Sequence, residues 1–274
     1  MGGAADGFDA AGAAGRDPAA AVALLAERMR AAGSVVALTG AGISVPSGIP
    51  DFRTPRTGLW ENVDPMEVAH IDAWRRDPAR FWMFYGERFQ SLRDKRPNRA
   101  HELLVELERR RLVDAVVTQN IDQLHERAGS GTARDDGGAE LIELHGTISH
   151  SSCLACGRRY PLAEVQERLD ADVQGVPRCD CGRPLKPDVV LFGELLPQAA
   201  LERAQTLALR ADLLLCIGTS LEVYPVAELP SLTLRRGGEV ALLTQGPTRF
   251  DRDAIVKLDG DVVAELEALV SALG

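Results

Sequence analysis

The sequence predicts an α/β protein built on a doubly wound parallel sheet, with a smaller module and a helical insert as excursions from it. Three observations carry this expectation. Short runs rich in Val, Leu, Ile and Ala alternate with stretches of helical periodicity, the order of a βαβ chain. The first run, Ser34 to Thr39, empties into Gly40-Ala41-Gly42, a turn whose glycines let backbone pass close to a ligand. Four of the five cysteines fall into two tight pairs inside one segment, apart from the apolar runs.

Length and charge bound the rest. A chain of 274 residues is long enough for one large α/β domain and a smaller attachment, with a sizeable core. Its 31 basic and 40 acidic residues leave a net charge of -9 and form no basic stripe, which disfavours nucleic-acid binding. No apolar run reaches the ~18 residues of a membrane span, and the N-terminus lacks a signal peptide's basic start and apolar core. The expected compartment is the cytoplasm, with no membrane partner. Paired cysteines in a reducing compartment point to metal rather than disulfides.

Taken in order, residues 1–16 are mostly Ala, Gly and Asp and read as a disordered tail. Asp17-Pro18 supplies an N-cap and a first-turn proline, with Val22, Leu25 and Met29 on one helical face and Gly33 at the stop. Residues 55–111 turn to Trp, Phe, Arg and Pro with helical spacing and are expected as an insert over the cleft; within it Asp77-Pro78 starts one helix and His101 to Arg111 form another. Asp114 to Thr118 is the next buried strand, and Glu140 to Leu144 a third, separated by a Gly, Asp and Arg loop at Gly129 to Ala139. The sheet is expected to resume with Asp188 to Phe192, Asp212 to Ile217 and Glu239 to Leu243, with helices at Leu201 to Arg210, Val226 to Leu234 and Val262 to Leu273. The domains are then 17–54, 112–149 and 187–274 for a Rossmann-like nucleotide-binding body, and 150–186 for the cysteine module.

That module holds Cys153-x-x-Cys156 and Cys179-x-Cys181, with a glycine after each pair. Four thiolates delivered on tight turns suit tetrahedral zinc and leave no open position, so the metal is expected to be structural. The second pair is one residue shorter than the usual knuckle. Cys216, inside an apolar run, reads as a core residue.

Polar groups at the C-terminal ends of such strands lie where open α/β sheets bind ligands. Gln119-Asn120-Ile121-Asp122 follows one strand, His145-Gly146 another, and Gly218-Thr219-Ser220 a third. His145 is the histidine placed to accept a proton near neutral pH; His101 and His125 sit in helices and read as structural. Gly-Ala-Gly lacks the third glycine of the dinucleotide fingerprint, and no acid stands about 20 residues on, which argues against an ordinary dehydrogenase.

Read together, Gly40-Ala41-Gly42-Ile43-Ser44 and Gly48-Ile49-Pro50-Asp51-Phe52-Arg53, then Thr118 to Asp122, His145-Gly146 and Gly218 to Ser220, resemble the motifs of the sirtuins in family order. Sirtuins are NAD-dependent protein lysine deacylases. The resemblance runs from about Ala19 to the C-terminus. It implies that NAD, consumed as co-substrate, is held by Gly40, Ala41, Gly42, Ser44, Ile49, Asp51, Phe52, Arg53, Gln119, Asn120, Ile121, Asp122, Gly218, Thr219 and Ser220. Thr244 stands where many sirtuins carry an Asn against the adenosine ribose. It also implies catalytic roles for Asn120 and Asp122 beside the nicotinamide, and for His145 as general base on a ribose hydroxyl once the acyl oxygen attacks the anomeric carbon. The products are nicotinamide, free lysine and O-acyl-ADP-ribose.

Lys186 to Glu194 resembles the family's peptide-binding segment, with Val189 at the acyl channel and Phe192, Gly193 and Glu194 holding an extended acylated-lysine substrate by β-augmentation. Ala69, 16 residues before Tyr85, and Arg88 one helical turn further match the set of sirtuins that prefer malonyl, succinyl or glutaryl lysine. An arginine there would pair with the distal carboxylate. The rival readings are a mono-ADP-ribosyltransferase or NAD hydrolase on the same scaffold, and a zinc-ribbon interaction protein with a vestigial cleft.

Overall fold

The computed structural model describes residues 17–51, 64–131 and 139–274. The expected tail, Phe52 and Arg53 (expected to contact the cofactor), and most of the loop before Glu140 lie outside them.

Helix α1 (Pro18–Ala31) starts where Asp17 accepts the Ala19 N–H at 3.2 Å, and it buries Ala21, Val22, Leu25, Ala26 and Met29. Strand β1 (Val35–Thr39) follows, then one short 3-10 helix (Ala41–Ser47) ended by Gly48 in the left-handed region at φ 74°. Helices α2 (Pro65–Val68), α3 (Ile71–Arg76), α4 (Pro78–Asp94) and α5 (Arg99–Arg109) come next, and then β2 (Ala115–Thr118), α6 (Leu124–Ala128) and β3 (Glu140–Glu143). Strand β4 (Gly146–Ser152), β5 (Arg159–Pro161), α7 (Leu162–Ala171) and β6 (Lys186–Val189) form the cysteine module. The chain finishes with α8 (Gln198–Arg210), β7 (Leu213–Ile217), α9 (Leu229–Arg235), β8 (Glu239–Leu243), β9 (Val256–Leu258) and α10 (Val262–Leu273).

Among the described residues six parallel strands form the main sheet in the order β3-β2-β1-β7-β8-β9, so the winding reverses between β1 and β7. Side chains alternate along each strand. Ala37, Leu215, Ile217 and Leu243 face one core with α1, α5 and α10, while Val36, Leu38, Leu214 and Leu242 face another with α8 and α9. Burial on both faces explains why these strands read as unbroken apolar runs. Each such Leu or Val removed from water contributes roughly 1.5–3 kcal/mol.

Two expectations need correction. The helix at 99–109, assigned to the insert, packs Ala100, Leu103, Leu104 and Leu107 into the main core beside α1 and α10. The segment Asp188 to Phe192 does not rejoin the parallel sheet: β6 pairs antiparallel with β4 in a second sheet, β5-β4-β6. The turn is made at Gly146, whose φ is 72°; a Cβ there would lie 2.1 Å from the Asp188 carbonyl oxygen, so only glycine fits. A third core joins the insert to this module, with Trp82, Ile148, Leu185 and Val189 among its members. The indole N–H groups of Trp74 and Trp82 both donate to the Leu185 carbonyl, at 3.2 and 3.0 Å.

Candidate active site

The C-terminal ends of β1 and β7 meet where the strand order reverses, which is where a doubly wound sheet leaves its binding crevice. The Gly40 N–H donates to the Ile217 carbonyl at 3.0 Å and the Gly42 N–H to the Gly218 carbonyl at 2.8 Å. A Cβ on Gly42 would stand 2.7 Å from Gly218 Cα, and one on Gly40 would stand 2.8 Å from the Gly218 oxygen. The neighbouring loop therefore demands glycine at both positions, in addition to any close approach of a ligand. Thr219 is buried and its hydroxyl accepts from Gln119 Nε2 at 2.8 Å, so it braces the crevice from inside. Ser220, the next residue, is half-buried, and so are Ala41, Ile49, Asp51 and Thr244.

Beyond β2 the chain places two buried polar side chains against the 3-10 helix. Asn120 Nδ2 donates to the Gly40 carbonyl at 3.1 Å and to Ser44 Oγ at 3.3 Å, and Ser44 Oγ donates to Asp122 Oδ2 at 2.7 Å. The other Asp122 oxygen accepts the Leu124 N–H at 2.9 Å, which anchors the start of α6. Burial raises the Asp122 pKa against the pull of these donors. Ile121 points away from this group, toward the core of the smaller lobe.

His145 lies two residues past the end of β3, half-buried at the edge of the same crevice. Its Nδ1 lies 2.9 Å from the Gln119 carbonyl, an acceptor only, so Nδ1 carries the hydrogen and Nε2 keeps its lone pair. Burial lowers the His145 pKa, with the bond to Gln119 opposing. The ring is thus neutral at pH 7 and fixed in the tautomer of a base. At the end of β3, Glu143 is pushed up to about 7 by burial and by the negative charges of Glu126 and Asp122.

His101 and His125 are buried with ring centroids 4.9 Å apart, as their helical positions suggested. His125 Nε2 lies 2.9 Å from Thr39 Oγ1, which donates to Thr118 Oγ1 at 2.8 Å; that oxygen accepts the Asn120 N–H at 3.1 Å. This chain of contacts runs beneath the crevice from α6 to Asn120. Asn98 braces the other end, donating to the Ile43 carbonyl and to Ser47 Oγ, each at 2.9 Å.

In the smaller lobe, Ala69, Tyr85 and Val189 share one apolar core. Tyr85 lies between Phe81 and Phe89, at centroid distances of 4.7 and 5.2 Å, and burial raises its pKa while Arg88 opposes. Arg88 is half-buried one turn on, stacked 3.6 Å over the Phe84 ring and donating to the Phe84 carbonyl at 2.6 Å. Phe192 is exposed, yet its backbone is engaged: its N–H donates to Ala69 and its carbonyl accepts from Ile71, both at 2.9 Å. The Glu194 carboxylate is likewise occupied, by the Leu191 N–H and Lys186 Nζ, both at 2.9 Å. Sequence reasoning missed Lys186 as a structural partner because the lysine and its acid lie eight residues apart with nothing in the spacing to join them.

The four cysteine sulfurs lie within 4.8 Å of one another, with Cys153 to Cys181 and Cys156 to Cys179 each at 3.5 Å. A tetrahedral zinc at ~2.3 Å from each sulfur requires sulfurs about 3.8 Å apart. The donor set fits zinc, and the short Cys-x-Cys pair reaches it without loss of a ligand. Among the described residues no helix is long and apolar enough to cross a membrane.

Residues 40–225 match the profile of the Sir2 family. The chain belongs to the Sir2 family. Among its relatives is the NAD-dependent protein deacetylase of Sulfolobus acidocaldarius, 44% identical over 230 residues that cover 84% of this chain and 86% of that one. The NAD-dependent protein deacylase of Deinococcus radiodurans is 43% identical over 243 residues, 88% of this chain and 95% of its own. Of solved structures, a Sir2 complex with p53 peptide and NAD+ superposes with a TM-score of 0.81 at 40% identity, covering 90% of this chain and 96% of that one. A Sir2Tm complex with a propionylated peptide gives 0.81 at 38% identity, covering 92% and 98%. The sirtuin resemblance in the motifs and this Sir2 membership agree.

Proposed function

We propose that this chain is an NAD-dependent protein lysine deacylase that works through His145. The observation that carries the reading is the His145 tautomer: Nδ1–H bound to Gln119 and Nε2 free at the crevice edge. Sir2 membership, and relatives named as deacetylases and deacylases, support it. Gly40, Ala41, Gly42, Ser44, Ile49, Asp51, Ser220 and Thr244 would hold the dinucleotide, as their positions in the sirtuin motifs imply. Bound NAD supplies an ADP-ribose acceptor and a nicotinamide leaving group. Asn120 and Asp122, locked together through Ser44, give the nicotinamide end a fixed polar wall. Nε2 of His145 takes the proton of a ribose hydroxyl. Zinc holds the four cysteines as a structural staple and takes no part in the chemistry.

The acyl preference extends to acidic acyl groups. Ala69 and Tyr85 pack with Val189, the residue expected at the acyl channel, and Arg88 stands one turn from Tyr85. Turning from Phe84 to a carboxylate would exchange a neutral acceptor for a charge-assisted pair.

The test is nicotinamide release from NAD with one peptide carrying acetyl-lysine, succinyl-lysine or unmodified lysine, alongside His145→Ala. Release that requires the acyl group and is lost in the variant supports the deacylase. Highest turnover on succinyl-lysine supports the Arg88 pocket, while turnover on acetyl-lysine alone discards it. Acyl-independent release overturns the deacylase reading in favour of ADP-ribosyl transfer or NAD hydrolysis.

A further inference from the structure

Lys186 is one of only three lysines among 31 basic residues, and it is buried at 7% exposure. Its ammonium donates to the Pro187 carbonyl at 3.0 Å, to the Val189 carbonyl at 2.8 Å and to Glu194 Oε2 at 2.9 Å. That same carboxylate oxygen accepts the Leu191 N–H at 2.9 Å. One buried cation thus gathers residues 187, 189, 191 and 194 around itself. In a strand alternate residues share a side. Three donors radiating from a compact ammonium suit such an inward curl, and the planar fork of an arginine does not.

A buried ion pair is a poor source of stability, because desolvation offsets most of its attraction, but it can select one conformation among several. Here the selected conformation has clear neighbours. The Val190 N–H donates to the carbonyl of His145 at 2.8 Å, the Phe192 backbone is strapped to residues 69 and 71, and Val189 and Leu191 turn into the core that holds Ala69 and Tyr85. The curl therefore joins the proposed base to the wall of the proposed acyl channel.

We infer that Lys186 is a positioning residue: paired with Glu194, it fixes segment 187–194 in the shape that receives the acylated lysine. Lys186 touches no substrate in this role and acts through backbone carbonyls. Because use of the segment by substrate rests on the deacylase reading, the test has one arm that needs turnover and one that does not.

In the first arm, peptide and NAD KM values are measured for the full chain, Lys186→Met, Glu194→Gln and the double variant. Each single is expected to raise the peptide KM roughly tenfold, the double no further, with the NAD KM within about twofold of the parent. In the second arm, amide hydrogen exchange at Val190 and Leu191 is expected to accelerate in both singles while exchange in β1 and β7 is unchanged. An unchanged peptide KM, effects that multiply in the double variant, or an NAD KM that rises in step overturns the inference, as does unaltered exchange at Val190 and Leu191. Should Lys186→Met fail to fold, the near-isosteric Glu194→Gln alone decides by the same two readouts. Accelerated exchange with no acyl-dependent turnover in the parent protein overturns the deacylase reading instead.

Discussion

Ser44 Oγ donates to Asp122 Oδ2 at 2.7 Å, and through this bond the turn after β1 and the loop after β2 hold one another. Ser44→Ala leaves a buried carboxylate with one fewer donor, which costs roughly 1–3 kcal/mol. The expected outcome is a lower urea midpoint at pH 8 and weaker NAD binding by calorimetry. A variant with parental stability and parental affinity would show that the bond holds nothing.

An acid close to the base in sequence gives stability a pH signature. Glu143 is pushed up to about 7 from an ordinary 4.5, burial first and its acidic neighbours second. A carboxyl whose folded pKa is raised binds its proton more tightly in the native state. The native state then loses stability as pH climbs from ~4.5 to ~7 and has lost all of that contribution above it. Glu143→Gln should therefore be more stable than the parent at pH 8, by about 1–2 kcal/mol after allowance for solvent screening, and no more stable at pH 4. Urea titrations at both pH values check this, and a difference that is constant with pH would refute it.

His145 is depressed by burial, so its imidazole remains neutral to below the usual histidine range. The acid limb of kcat/KM against pH is expected below pH ~6.5, and His145→Ala should lose at least ~100-fold in rate. An acid limb above pH 7 would assign the limiting base to another group.

Removing the metal should act on the smaller lobe first. Cys153 and Cys179 are buried while Cys156 and Cys181 are exposed, so a chelator has access from one side. Metal analysis is expected to give one zinc per chain, falling to none in Cys179→Ser, with a lower melting temperature. Full zinc content in that variant would sink the four-cysteine site.

Much of this was legible in the sequence. Strands β1, β2, β7 and β8 announced themselves because strands buried on both faces need apolar runs, while β3 was marked by the Leu141-Ile142 pair between two glutamates; the positions of His145, Asn120 and Asp122 just past strand ends were legible from the motifs. β9 escaped notice, since Val256–Leu258 is three residues long and interrupted by Lys257. The misassignment of β6 has a plain cause: apolar content marks a strand but says nothing about which sheet it joins, and a glycine's turn at Gly146 decides that. The network from His125 through Thr39 and Thr118 to Asn120 was equally hidden, because its members are up to 86 residues apart and only the parallel register brings them together. Lys186 and Glu194 were hidden for the converse reason: near in sequence, they meet only once the chain curls between them.

The proposed base occupies the seam between two sheets: β3, which ends two residues before it, belongs to the parallel one, and the next residue opens the antiparallel one. Its carbonyl is also held by Val190 from the far side. The two sheets have separate cores, and separately packed lobes are expected to open as separate cooperative units. On heating, the smaller unit can part from the larger before the main sheet melts, and when it does the imidazole loses its setting while most of the secondary structure persists. Inactivation then precedes the loss of ellipticity, and the interval between the two temperatures measures how firmly the seam is closed.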